Sequence, residues 1–221
     1  MNGPLVDATS VPGWLRPLVE VSHELDASTF TRFSPPRNGS TRAASVLILF
    51  GEGHRGPDVL LLRRADTLGS HAGQVAFPGG GAEDHDEDPV ATALREAEEE
   101  TGVDPVGVRP VAVLPELFVP VSGFSVTPVI AHWVNPSPVH AVDPAETAAV
   151  ARIAIADLAD PANRFLVRRA GANWKGPAFS VDGLFIWGFT AGLLSVLLSV
   201  AGWEREWDTG DVRDLAGWEN R

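Results

Sequence analysis

Residues Gly81 to Val103 read GAEDHDEDPVATALREAEEETGV, and this stretch decides how the rest of the chain is read. Asp88 suits an N-cap, Pro89 suits the first helical position, and Gly102 suits a left-handed C-terminal cap. This punctuation predicts a helix over Pro89 to Thr101. At about 100° per residue, Val90, Ala93, Leu94 and Ala97 share an arc that can pack on a sheet, and Glu96, Glu99 and Glu100 share the neighbouring arc. Like charges on one helix edge repel by roughly a few tenths of a kcal/mol per exposed pair, so a purely structural helix gains nothing from them. Hard divalent cations with oxygen ligands recover that cost, because carboxylates at i, i+3 and i+4 can share ions with substrate phosphates. Arg95 sits one row over, placed to orient Glu99 at i+4, while Glu98 points away and serves solubility. A glutamate run in isolation marks a solvated face, so its flanks carry the decision.

Those flanks complete the pattern G-x(5)-E-x(7)-R-E-U-x-E-E-x-G-U, U being apolar, with Gly81, Glu87, Arg95, Glu96, Ala97, Glu99, Glu100, Gly102 and Val103. Seven fixed residue types at ~7% each match by chance on the order of once in a hundred million start sites. The stretch resembles the box of the Nudix hydrolases at every fixed position. The resemblance implies an α+β fold, the Nudix α/β/α sandwich with a mixed β-sheet, and hydrolysis of a diphosphate linkage with water activated by Mg2+ or Mn2+. Expected metal ligands are Glu96, Glu99, Glu100 and the Gly81 carbonyl. Expected catalytic residues are Glu96, Glu99 (ligand or base), Arg95, and Glu146 as a further loop carboxylate, whose alternative is a solvated loop acid.

Upstream, Leu60 to Gly80 reads LLLRRADTLGSHAGQVAFPGG. It resembles the signature L-L-[TV]-x-R-[SA]-x(3)-R-x(3)-G-x(3)-F-P-G-G of the coenzyme A diphosphatase branch of the same family. Leu62 and Gly69 depart from it, and Gly69 stands where the signature has an arginine. The resemblance implies coenzyme A or a derivative as substrate, with 3',5'-ADP and phosphopantetheine as products. Arg64, His71, Gln74, Phe77, Gly79 and Gly80 are the expected substrate-binding residues; for His71 and Gln74 the alternative is holding the loop. Gly79 to Gly81 also let backbone groups approach a metal or diphosphate closely. Phe118 and Phe124 could stack an adenine, although burial is the commoner fate of Phe.

Around this centre, Ala44 to Phe50, Val59 to Leu62, Val106 to Leu114, Ser125 to Val134 and Ala148 to Ile155 read as strands. Residues 1–43 read as an N-terminal appendage with a short helix over Trp14 to Leu25 and a turn over Pro35 to Gly39. Residues 44–202 form the Nudix domain, whose last helix runs from Thr190 to Ala201, capped near Thr190. Residues 203–221 form a polar tail holding Trp203, Trp207 and Trp218, which either wraps the domain or moves. With no cysteine in 221 residues, thiolate metal sites and disulfides are excluded, and any metal sits on oxygen or imidazole. A net charge of -12 disfavours nucleic acid as a partner but not a small polyanion bridged by divalent cations. The apolar run Gly192 to Ala201 is about half the ~20 residues that span a bilayer, so no membrane partner is expected. The absence of a signal-like N-terminus predicts a cytoplasmic location. Oligomeric state is open. The competing functions are a Nudix enzyme for another nucleoside diphosphate derivative and a non-catalytic ligand sensor, the latter disfavoured by the intact box glutamates.

Overall fold

The computed structural model describes residues 2–36, 41–69, 71–169, 171 and 174–218. Part of the turn expected over Pro35 to Gly39, Ser70 of the upstream signature and residues 219–221 of the tail lie outside this set. In chain order the elements are β1 (Gly3–Pro4), α1 (Arg16–Val21), α2 (Ala27–Phe30), β2 (Arg42–Gly53), β3 (Gly56–Arg64), β4 (Val75–Ala76) and β5 (Gly79–Gly81). Then come α3 (Pro89–Thr101), β6 (Val108–Val113), β7 (Leu117–Val119), β8 (Phe124–Trp133), β9 (Thr147–Ala154) and α4 (Ile155–Leu158). The chain continues with β10 (Arg164–Arg168), β11 (Lys175–Val181), β12 (Leu184–Ile186), α5 (Gly188–Val200) and β13 (Val212–Asp214).

The main sheet runs β1-β6-β8-β2-β3-β4, with β5 on β2, β7 on β8 and β9 on β3. It is mixed: β2 and β8 are parallel and the other pairs antiparallel. The near-continuous apolar run of β2 follows from its central place, because both of its faces are covered. Leu47 and Leu49 face Ala93 and Ala97 of α3, whereas Ile48 and Phe50 belong to the opposite core with Leu193, Leu194, Leu197 and Leu198 of α5. The layers are therefore α3, sheet, and α5 with α1, the α/β/α sandwich of an α+β protein. Leu15, Leu18 and Val19 from the N-terminal segment are fully buried in the α5-side core.

Local chemistry moved several boundaries. The helix expected over Trp14 to Leu25 is shorter, because Asp26 takes an extended conformation and caps a new helix through Ser28 and Thr29. The strand expected from Val106 begins at Val108; Asp104 caps a 3-10 turn over Pro105–Gly107 and leaves Val106 exposed. Thr190 does not cap the last helix. That helix starts at Gly188 after Trp187, without a side-chain cap, and Thr190 is buried inside it. A small second sheet, β12-β11-β10-β13, was not expected. Its strands are interrupted by Gly176 and Pro177 or flanked by arginines, and β13 pairs with a strand far away in sequence, which local periodicity cannot register. Through β13 and the buried Leu215 the described part of the tail packs on this sheet, and Trp203 Nε1 donates to the Trp14 carbonyl at 3.1 Å. Among the described residues no helix is long and apolar enough to cross a membrane.

What places the site is the edge of β2. Its residues 50–53 pair with β3, while Ala44 to Val46 pair with the glycine strand β5, and α3 lies across the same region through Leu47 and Leu49.

Candidate active site

Helix α3 is built as its punctuation predicts. Asp88 accepts from Ala91 N at 2.8 Å, Pro89 opens the helix, and Gly102 closes it at φ 66°, its N–H donating to the Glu98 carbonyl at 2.8 Å. Ala93 and Ala97 are fully buried on the sheet, so the arc carrying Glu96 and Glu100 is pressed toward β5.

The two surfaces touch. The Gly79 N–H donates to Glu100 Oε2 at 2.9 Å. A Cβ on Gly80 would lie 2.5 Å from the carboxylate of Glu96, and one on Gly79 would lie 2.3 Å from the Ser45 carbonyl oxygen. A side chain is therefore excluded at Gly79 by the backbone of β2, whereas at Gly80 even a methyl group would have to displace the Glu96 carboxylate.

Arg95 ties the cluster together. Its Nη1 lies 3.0 Å from Glu96 Oε1 and 3.0 Å from Glu99 Oε2, and its Nη2 lies 3.0 Å from the Gly81 carbonyl oxygen. The far side of the guanidinium is gripped by Asp86, from Nε to Oδ1 at 3.0 Å and from Nη2 to Oδ2 at 2.9 Å. Asp86 also accepts from Glu83 N at 2.9 Å and Thr92 Oγ1 at 3.0 Å, with its side chain 4% exposed. These bonds, Arg95 foremost, hold the Asp86 carboxyl below the usual carboxylate range. Asp86 was missed by sequence reasoning. The pattern fixes Glu87, which is exposed, and nothing in the spacing separates Asp84, Asp86 and Glu87; the loop conformation makes the choice.

Burial governs the remaining carboxylates. It pushes Glu100 up to about 7, with the Gly79 amide and Arg64 pulling it down and Glu96 and Glu146 pushing it further up. Burial also raises Glu96, and Arg95 opposes it. Glu146 stands in the loop before β9, exposed, and its carbonyl accepts from Ala65 N at 2.8 Å, which ties this loop to the end of β3. Among the described residues, the buried Nε of Arg64, at that end, has no hydrogen-bond partner.

Glu96, Glu99 and Glu100 share one edge of α3 but do not meet at one point. Among the described residues no group of three or more acidic, histidine or cysteine side chains is gathered closely enough to hold an ion. Although neighbours on the helix, the three are drawn to different partners: Glu100 to the Gly79 amide, Glu96 and Glu99 to Arg95. The donor set nevertheless fits a hard divalent cation, since the Arg95 cation already gathers oxygens of Glu96, Glu99 and Gly81 around positive charge.

Among the expected substrate residues, Gly79 and Gly80 lie against the carboxylates as described, and Arg64 lies within electrostatic reach of Glu100. His71, at φ 55°, holds Gln74 through a 2.8 Å bond between Nδ1 and Oε1, and the Gln74 carbonyl accepts from Arg64 N at 2.9 Å. This pair braces its loop. Phe77 is a correction: it is 3% exposed in the α5-side core, so its ring offers no surface to a ligand. Phe118 and Phe124 are half-buried on β7 and β8.

Two outcomes follow from these charges. Asp86→Asn removes the anchor of a largely buried guanidinium and should lower the melting temperature, while Glu87→Gln should leave it unchanged; equal melting temperatures for the two variants would remove the assigned role of Asp86. Glu100 binds its proton more tightly folded than unfolded, so its contribution to stability is present below its ordinary 4.5 and is lost as pH rises through about 7. In chelator-treated protein, Glu100→Gln should therefore melt higher than the parent at pH 8 and level with it near pH 5. A difference that does not change with pH would contradict the burial of this carboxylate.

Comparison with known proteins gives the same frame. Residues 39–174 match the family described as NUDIX domain. An uncharacterized Nudix hydrolase, NudL, of Cronobacter sakazakii is 40% identical over 144 residues, covering 64% of this chain and 73% of that protein. Its Escherichia coli K12 counterpart is 36% identical over 176 residues, covering 77% of this chain and 90% of that protein. The crystal structure of a Nudix hydrolase from M. smegmatis, RenU, superposes with a TM-score of 0.53 at 20% identity, covering 79% of this chain and 96% of that one. A Nudix hydrolase from Nitrosomonas europaea gives 0.50 at 15% identity, covering 80% and 81%. These two likenesses bear on the fold. Hydrolases of this family generally use divalent metal ions. With its complete box running from β5 through α3 and the family match spanning β2 to β9 of the main sheet, the chain belongs to the Nudix family and is a hydrolase acting on phosphorus-containing acid anhydrides.

Proposed function

We propose that the chain hydrolyses the diphosphate of coenzyme A or its derivatives in the cytoplasm, with Mg2+ or Mn2+, adding water across the P–O–P bridge to give 3',5'-ADP and (acyl)phosphopantetheine. The observation that carries this reading is placement: the Leu60 to Gly80 signature forms β3, its following loop and β5, so the substrate-class signature leads directly into the glycines that touch Glu96 and Glu100.

Glu96, Glu99, Glu100 and the Gly81 carbonyl would hold the metal, which when bound supplies acidification of the attacking water and charge neutralisation on the diphosphate. The residues of the chain do the rest. Arg95 keeps the carboxylates of Glu96 and Glu99 and the Gly81 carbonyl in fixed relation. Arg64 faces the anionic substrate from the end of β3. Of the glutamates expected to act at the site, Glu99 and Glu146 are the exposed ones, so accepting the proton of the attacking water falls to one of them.

Gly69 favours a second reading, a Nudix hydrolase of another nucleoside diphosphate derivative such as NADH, ADP-ribose or a dNTP, because the coenzyme A signature has an arginine there. The position is open, with nothing among the described residues within 4 Å of a Cβ, so Gly69→Arg leaves the backbone undisturbed. If coenzyme A is the substrate, the parent releases 3',5'-ADP in the presence of Mg2+, and Gly69→Arg lowers KM with little change in kcat, since a contact made equally in ground and transition states acts on binding alone. A mass-spectrometric panel that finds no 3',5'-ADP but finds products from NADH, ADP-ribose or dGTP would replace the first reading by the second.

A further inference from the structure

The guanidinium groups around the site are unequally committed. Arg95 is bound on every side by Asp86, Glu96, Glu99 and Gly81. Arg63 is paired with Asp66 at 2.5 Å, and Arg64 faces Glu100. The loop after β3 offers no other arginine, because Gly69 occupies the place where one would stand. Arg42 is different. It is exposed, it has no carboxylate partner among the described residues, and its hydrogen bond goes to the Ser122 carbonyl at 3.4 Å.

Its position is nevertheless determined. Arg42 opens β2 and is the register partner of Phe124 on β8, and its Cζ lies 4.1 Å from the centroid of that ring. The same ring reaches β5: Phe124 Cε1 is 3.9 Å from where a Cβ on Gly81 would stand. Ala44 pairs with Gly81, so Arg42, two residues back along β2, stands about 7 Å along the strand from the carbonyl that Arg95 holds. With the guanidinium seated over the Phe124 ring, its charge stands beside Gly81, on the side where a second anionic group of the same ligand would lie. A guanidinium resting on a ring keeps its N–H edge free for bidentate contact with phosphate. In a chain of net charge -12, such a cation without an acid partner is a local exception.

We propose that Arg42, pinned by Phe124, binds a phosphomonoester that the substrate carries outside its scissile diphosphate. The site then selects nucleoside diphosphate derivatives bearing one additional phosphate over their counterparts that lack it. This rests on the reading of the α3–β5 site as the place of diphosphate cleavage, and it names the substrate feature read beside it.

The test compares pairs that differ by one phosphomonoester: coenzyme A with dephospho-coenzyme A, and NADPH with NADH. With Mg2+, the intact protein should prefer the phosphorylated member of the pair it cleaves, by about tenfold or more in kcat/KM, and Arg42→Gln should collapse that preference chiefly through KM. Arg42→Lys should keep part of it, and Phe124→Leu should weaken it by releasing the guanidinium. A binding readout runs in parallel: 3',5'-ADP should inhibit the parent more strongly than 5'-ADP, and the two should become equal in Arg42→Gln. A phosphomonoester preference that survives in Arg42→Gln, or no preference in the parent, overturns the inference and leaves the coenzyme A reading standing if coenzyme A is cleaved. An Arg42-dependent preference for NADPH with no cleavage of coenzyme A supports the inference and overturns the coenzyme A reading. Failure to cleave any of the four compounds overturns both.

Discussion

The Arg95 guanidinium is the charge on which the geometry of the site depends. Without it, Asp86, Glu96 and Glu99 would face one another as uncompensated anions, since each of the three takes a bond from this one side chain. Its planar fork explains why an arginine and not a lysine serves here: Nε and Nη2 engage Asp86 in parallel while Nη1 reaches two glutamates. Asp86 in turn is fixed by the loop it closes, through Glu83 N and Thr92 Oγ1. A loop acid that no pattern names thus determines where the named carboxylates point.

The second constraint is space. Ala93 and Ala97 let α3 sit close on the sheet, and this closeness brings Glu96 and Glu100 against a strand made wholly of glycine. Glu100 finds an amide there and little solvent, and burial raises its proton affinity toward neutrality. Such a carboxylate gains from a nearby cation more than an exposed one does, because the cation offsets a desolvation cost that the fold has already imposed. The N-terminal residues and α5 contribute at a distance, by filling the opposite face of β2 so that the strand carrying Ala44 to Val46 is held rigidly between two cores.

How much of this could be read from the chain depends on the range of the interaction. The ends of α3 were legible because Asp88, Pro89 and Gly102 act on their own neighbours, and the central strands were legible because Leu47 to Phe50 alternate between two buried faces. The small second sheet was not, since β13 pairs with β10 across many residues of chain and its strands carry arginines and Pro177. At the site, helical spacing correctly grouped Glu96, Glu99 and Glu100 on one edge but could not say that Arg95 and Gly79 would divide them. Phe77 shows the converse limit: a signature position can belong to the core, and only its burial distinguishes packing from contact with a ligand.

The central claim is that hydrolysis takes place where the α3 carboxylates press on β5, and a single methyl group tests it. A Cβ at Gly80 meets the end of a flexible side chain, the Glu96 carboxylate, so Gly80→Ala should fold and displace that carboxylate without disturbing the backbone. The measurement is metal-dependent turnover of Gly80→Ala on the diphosphate that the parent cleaves fastest, alongside its melting temperature. The account predicts an unchanged melting temperature with turnover reduced by about a hundredfold, the scale of a misplaced catalytic group. Parental turnover in a folded Gly80→Ala protein would contradict it, and would move the reaction away from the contact between Glu96 and the glycine strand.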